Sequence, residues 1–394
     1  MKSFTLLFLP NLAWAASIYV SPTGSNSGDA SITSPLLSIQ SAVNLAVAGD
    51  TIYLRGGTYS PSTNIQIKKS GTSSKPYTVT AYGSEVPIID GEALTGTPAD
   101  LDASLANADR GIFHIEGANY WKFYGITFIN GPYGVYHRDS SNNYYERIVT
   151  HDNYETGFQI QGSSANNQVL YLDSYNNRDP RKNGESADGF ACKEGTGTGN
   201  TLVGARLWNN VDDGLDLWEF KSAVTIKDTL AWGNGFNRWG FTDFEGDGNG
   251  FKLGGGDAAD IGPANHIITN CFAFSNAAKG FTDNSQTGSF TLTDNTAWNN
   301  ADVGFKLASS TSTLTANIAA VNLGTTTSSS QITLTGSQTA SGNSWQDGTT
   351  WTNSKFLSTD TSLVTGARAS NGKITASNFL LPSSGSSIGA TTHW

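Results

Sequence analysis

The chain has 394 residues, 44 of them Gly, with only 14% charged and a formal net charge of −10. An average soluble protein is about 25% charged, and helical bundles and coiled coils need more Glu, Lys, Leu and Ala than this composition offers. A basic surplus for nucleic acid is missing, while 10 Trp, 14 Tyr and 19 Phe are too many for a disordered chain; what remains is a Gly-rich, aromatic-rich, all-β protein.

The first element is a leader. Lys2 precedes an apolar run from Phe4 to Leu9 and then Ala13-Trp14-Ala15, a small-x-small cleavage pattern, so residues 1–15 read as a removed secretion signal and the mature chain as extracellular. The run is too short to span a bilayer, and no later segment is apolar for long enough, so no membrane partner is expected. Residues 35–50 read as one amphipathic helix with apolar positions 36, 39, 42, 43, 46 and 47. Such a helix suits the open apolar end of a solenoid as a plug.

A repeat follows. An aromatic residue or His stands two places before Asn in His151-Asp152-Asn153, Tyr175-Asn176-Asn177, Trp208-Asn209-Asn210, Trp232-Gly233-Asn234, Phe274-Ser275-Asn276 and Trp298-Asn299-Asn300. Phe128-Ile129-Asn130 precedes the series and Ala320-Val321-Asn322 follows it. The Asn-to-Asn steps are 23, 24, 33, 24, 42, 24 and 22 residues, so the two long steps carry insertions. Four residues after Asn comes Gly and then usually Phe, as in Gly157-Phe158, Gly280-Phe281 and Gly304-Phe305; the inserted units show the pair later, as Gly189-Phe190 and Gly250-Phe251. Apolar alternation after the Gly marks a short strand. A unit of about 24 residues with several such strands and no helical period predicts one coil of a parallel β-helix. In that fold the Asn residues form an inward ladder and the Trp residues belong to the core, so neither set is taken as a sugar platform.

Aligning the units on Gly stacks residues of neighbouring coils at about 4.8 Å. Asp188 and Asp213 become stacked neighbours, Asp212 adjoins Asp213, and Asp216 shares a strand with Asp213. Like charges at this spacing repel unless a counter-ion joins them, and an all-oxygen, strongly negative donor set suits Ca²⁺. Lys252 falls one coil beyond Asp216 in the same column. It is a solvated or ion-paired lysine, or a general base whose pKa a bound Ca²⁺ lowers. Lys306, two coils further on, is a candidate contact for an anionic group of a long substrate. The insertions at 178–188 and 235–249 add Arg178, Arg181, Lys182, Arg238 and Asp247 near the cleft, with Arg181 and Arg238 as candidate sugar-carboxylate contacts.

Cys192 and Cys271 fall about three coils apart, on the order of 14 Å, too far for a disulfide; two buried free thiols are expected. Residues 16–324 are assigned to the β-helix with its cap, and the Ser/Thr/Gly-rich residues 325–394 to an extended tail over the last coils.

Asp188, Asp212-Asp213-Gly214-Leu215-Asp216 and Gly250-Phe251-Lys252-Leu253 resemble the motifs of polysaccharide lyase family 9, a pectate lyase family. The similarity continues into the tail around Phe356-Leu357-Ser358-Thr359-Asp360 and Ala367-Arg368. It implies a right-handed, single-stranded parallel β-helix in which Asp188, Asp212, Asp213 and Asp216 bind Ca²⁺ and Lys252 removes a proton. The implied reaction is β-elimination on an acidic plant cell-wall polysaccharide, homogalacturonan or rhamnogalacturonan, by a monomer. Two alternatives stand beside it. A polygalacturonase shares the fold, but its Asn-Thr-Asp, Gly-His-Gly and Arg-Ile-Lys runs are missing from the chain. A non-catalytic, calcium-stabilised carbohydrate-binding solenoid leaves Lys252 unexplained.

Overall fold

A computed structural model describes residues 15–257 and 260–394; the expected leader, apart from Ala15, lies outside the described residues. The chain winds through three strands per turn, and the strands of successive turns pair in parallel into sheets of twelve, ten and ten strands. Each strand meets its equivalents one turn away: Leu215–Asp216 pairs with Phe190–Thr196 on one side and Phe251–Lys252 on the other. The first sheet opens with Ser17–Val20, the second with Ile65–Ile67 and the third with Gly57–Tyr59.

The corner between the third and second sheets explains the repeat. The residue after the aromatic position adopts a left-handed conformation at Asp152, Asn176, Asn209, Gly233, Ser275 and Asn299; Gly and short polar residues tolerate it best. The Asn that follows turns inward. Asn177 Nδ2 donates to Asn210 Oδ1 at 2.8 Å, Asn210 to Asn234 at 3.0 Å, and Asn234 to Asn276, Asn276 to Asn300 and Asn300 to Asn322 at 2.9 Å each. Each Asn Oδ1 also accepts a backbone N–H from the neighbouring coil, as Asn234 Oδ1 does from Asn210 at 3.0 Å. Gly then turns into the second sheet. A Cβ on Gly214 would lie 2.6 Å from the Gly250 carbonyl oxygen and 2.8 Å from Ala231 Cβ, so no larger residue fits.

The Phe after that Gly points into the core. Phe251, Phe281 and Phe305 stack with centroids 4.7 and 4.9 Å apart, each ring contributing about 1.5–3 kcal/mol by burial. The alternate residues of these strands, Asp216, Lys252, Thr282 and Lys306, form one outward column.

Several expectations shift. The aromatic column of the repeat points away from the interior of the coils, onto the outer face of the third sheet, where Tyr175, Trp208 and Trp232 stack in sequence at 4.2 and 5.0 Å; Phe274 and Trp298 of the same column are buried in a second apolar cluster on that face. The inward residues along that sheet run Phe128, Thr150, Ser174, Leu207, Ala231 and Ala273, and they become small in the later coils, where Ala231 Cβ and Ala273 Cβ pack against the corner Gly214 and Gly250. The first unit is displaced by one residue, since Ile129 pairs with His151. Asn130 is therefore its left-handed residue, and Gly131 takes the ladder position, donating its N–H to Asn153 Oδ1 at 3.0 Å.

The cap helix spans Ile39–Leu45, shorter than residues 35–50. Leu36 bridges to Val20 instead, Ser38 caps the helix, and Asp50 accepts the Val47 N–H at 2.9 Å in the turn leading to the next strand. Ile39, Ala42 and Val43 are buried while Val47 is exposed. A further partial coil, Ile332–Leu334 and Thr339–Ser341, joins the second and first sheets beyond residue 324. The segment after it returns along the third sheet, where Arg368 and Arg206 both clasp Asp173, each at 2.6 Å. Phe379 packs against Phe272, Phe274 and Trp298. Cys192 and Cys271 are buried free thiols.

Candidate active site

Four carboxylates and two ammonium groups gather on the outer face of the second sheet. Asp188 and Asp213 occupy equivalent positions just before the corner Gly, and Asp213 donates its N–H to Asp188 Oδ1 at 3.3 Å. Asp216 pairs with Lys252 in the ladder, as the column alignment requires. Asp188, Asp212, Asp213 and Asp216 are all at least 99% buried. Oxygens of Asp188, Asp213 and Asp216 converge within 4.8 Å of one another. Asp212 stands to one side: it groups with Asp213 and Asp247 within the same limit and accepts the Asp247 N–H at 2.6 Å.

Lys252 Nζ lies 2.8 Å from Asp247 Oδ2, 3.4 Å from Asp213 Oδ2 and 3.5 Å from Asp216 Oδ2, and sits 5.2 Å from the centre of the Trp218 ring. Lys193 Nζ bridges Asp188 Oδ2 and Asp216 Oδ2 at 2.8 Å each.

The electrostatics follow from burial and neighbours. Burial and the Asp216 charge push Asp188 up to about 6, against Lys193 and Lys252, which pull it down. Asp213 is raised to about 8, chiefly by burial. Burial and the adjacent Asp213 hold Asp212 well above the usual range. Burial also works against an ionised Asp216, but Lys193 and Lys252 overcome it and lower its pKa. Burial alone would lower Lys252; Asp216, Asp213, Asp212 and Asp247 instead hold it well above its usual value. The protein's own groups therefore work against the lowered lysine pKa expected from the sequence, and only an added positive charge would reverse them.

The donor set fits a hard divalent cation. Asp213 Oδ2 is buried without a hydrogen-bond partner, the converging atoms are all oxygens, and Asp213 and Asp188 are costly to ionise as they stand.

The other expected contacts are placed differently. Lys306 is exposed in the Lys252 column, two coils on, with Thr282 between. Arg181 does not join the carboxylate cluster: its guanidinium engages buried Glu155, with Nε at 2.9 Å. Arg238 is exposed, but it donates to Asn209 Oδ1 at 3.0 Å and lies over the Phe236 ring, at the third-sheet corner. Arg178 covers Tyr154 and Lys182 pairs with Glu185. The two insertions meet where Glu245 N–H donates to the Asn183 carbonyl at 3.1 Å.

Two residues do more than the sequence pattern indicates. Lys193 escapes the pattern because the aligned column stops at Ala191, its neighbour on the same face two residues earlier. Asp247 is legible only as an insertion residue near the cleft, and no repeat register specifies that it meets Lys252.

The site is thus a set of buried carboxylates beside a lysine on one sheet face of a parallel β-helix. The family described as "Pel9A-like, right handed beta helix region" matches residues 18–326, and the chain belongs to that family. It is 65% identical over 396 residues to "Pectate lyase PEL9" of Emericella nidulans, covering 96% of this chain and 95% of that one. "Pectate lyase L" of Dickeya dadantii is 34% identical, over 94% of this chain and 84% of its own. The crystal structure of pectate lyase Pel9A superposes with a TM-score of 0.79 at 32% identity, covering 95% of this chain and 91% of that one. A rhamnogalacturonan lyase shares the fold at a TM-score of 0.77 and 23% identity.

Proposed function

We propose that the protein is a secreted, calcium-dependent pectate lyase that cleaves polygalacturonate by β-elimination. Its family and its 65% identity to a pectate lyase support the lyase activity; the single observation that carries the site assignment is Lys252 held against Asp213, Asp216 and Asp247 on the outer sheet face.

Asp188, Asp212, Asp213 and Asp216 would hold the ion. Bound there, Ca²⁺ would supply Lewis-acid withdrawal of charge from a uronate carboxylate, acidifying the adjacent C5 proton. Lys252, in its neutral form, takes that C5 proton; the C5 electron pair forms the C4–C5 double bond, and the C4–O glycosidic bond breaks with its electrons on oxygen. Asp247 and the Trp218 ring fix the approach of Nζ. Solvent protonates the leaving oxygen. With the lysine held up by four carboxylates, the neutral base is favoured at alkaline pH.

Assays on polygalacturonate with and without EDTA test this: an unsaturated product absorbing in the near ultraviolet that disappears on chelation is expected. Cleavage without that absorbance, surviving EDTA, would point to hydrolysis. Secretion is supported by the leader pattern and by the location of the substrate; a mature N-terminus near Ala16 in the culture medium is the expected readout.

A further inference from the structure

The carboxylate cluster already contains a cation of the protein's own. Lys193 Nζ is 2.8 Å from both Asp188 Oδ2 and Asp216 Oδ2, two of the three residues whose oxygens converge. Its placement is built into the strand. Gln161 pairs with Lys193, but Gly162 then pairs with Gly195, leaving Glu194 as a bulge with φ of 47°. Bulges re-aim the side chains beside them, and this one sits directly after Lys193, whose side chain is only 14% exposed.

We propose that Lys193 is the resident counter-ion of the metal site, standing between Asp188 and Asp216 where the divalent ion must sit, and displaced when it binds. This rests on the calcium reading above. Calcium takes oxygen ligands at about 2.3–2.6 Å. An ion that close to the same two carboxylates would lie within a few ångström of an ammonium held 2.8 Å from each, and two cations at that range repel strongly in a buried site. The lysine lets the protein fold before metal arrives, and it sets calcium affinity below what four bare carboxylates would give. Lys252 also approaches the trio, at 3.4 Å from Asp213 Oδ2 and 3.5 Å from Asp216 Oδ2, but its shortest contact, 2.8 Å, is to Asp247 outside it, so Lys252 can keep that partner when the ion binds.

Calorimetric titration of the whole, chelator-treated protein with calcium chloride, for the native chain, Lys193→Met and Lys193→Arg, tests this. The Met variant should bind calcium at least about tenfold more tightly, having lost the competing charge, and its calcium-free melting temperature should fall while its calcium-loaded one holds. The Arg variant, which keeps the charge, should show no gain. Unchanged or weaker binding by Lys193→Met, with native binding intact, overturns the counter-ion role and makes Lys193 an ordinary structural pair. If Lys193→Met fails to fold without calcium, the same titration is made on Lys193→Gln, which keeps a donor to the carboxylates: tighter binding supports the counter-ion role, and unchanged or weaker binding overturns it. No calcium binding by the native chain overturns the calcium reading and this one together.

Discussion

Two stacks of polar side chains run along the same solenoid, one at the corner of the third sheet and one on the face of the second. At the corner, Asn177, Asn210, Asn234, Asn276 and Asn300 are buried, and each amide gives a proton to the next and takes one from the last. On the face, Asp188 and Asp213 repeat at the same spacing, equally buried, but a carboxylate only accepts. An amide column is self-complementary and can extend for as many coils as the fold has; a carboxylate column needs a cation and stops after two. One register thus yields structure where the side chain has both a donor and an acceptor, and chemistry where it has only one.

The sharpest break of this comparison is Lys252→Ala. It should lower turnover by about 10²–10⁴-fold, the range for loss of a general base, while circular dichroism and the melting temperature of the calcium-loaded protein change little. A large fall in melting temperature would mean that the face is structural like the corner. Asn234→Ala should do the reverse. It leaves the Asn210 N–H without an acceptor and its Nδ2 with only the Ser174 carbonyl at 3.3 Å, at about 1–3 kcal/mol for an orphaned group, read as a lower denaturation midpoint with turnover per folded molecule retained.

Asp213→Asn should separate the two kinds of site by sign, raising the stability of the calcium-free protein and weakening calcium binding, as titration calorimetry and melting curves would show. The pH dependence has the same origin. In the unfolded chain Asp188 and Asp213 ionise near 3.8, whereas folding without metal raises them to about 6 and about 8. The unfolded state therefore loses its protons first, and the calcium-free fold loses stability as pH rises from about 4 to about 8. Asp216, lowered in the fold, acts oppositely, and its contribution is lost only as pH falls below 3.8. The gain in melting temperature on adding calcium should be larger at about pH 8 than at about pH 5. Lys306→Ala, the mildest change, should raise KM a few-fold without altering stability, because its charge is exposed and screened.

The sequence discloses what the repeat controls. The Asn positions, the corner Gly and the alternation after it fix which residues share a column, and the Asp216–Lys252 pairing follows from them. The aromatic column is misplaced by the repeat because its spacing locates a position along the strand without saying which face is inward; the small residues between the rings, Ser174 and Ala231, decide that. The insertions obey no register, so the ends of Arg181 at Glu155 and Asp247 at Lys252 are tertiary facts. The cap helix stops short because Leu36 and Asp50 serve neighbouring strands.

The clasp of Arg368 on Asp173 joins residues 195 positions apart in a fold whose other strand pairings link adjacent coils. A solenoid of that kind can assemble progressively as it leaves the ribosome, amino-terminal coils first. Phe272, Phe274 and Trp298 must then wait uncovered until Phe379 is synthesised. The segment that seals the flank emerges after the coils it covers, which makes the interval before it docks a period of exposure to aggregation.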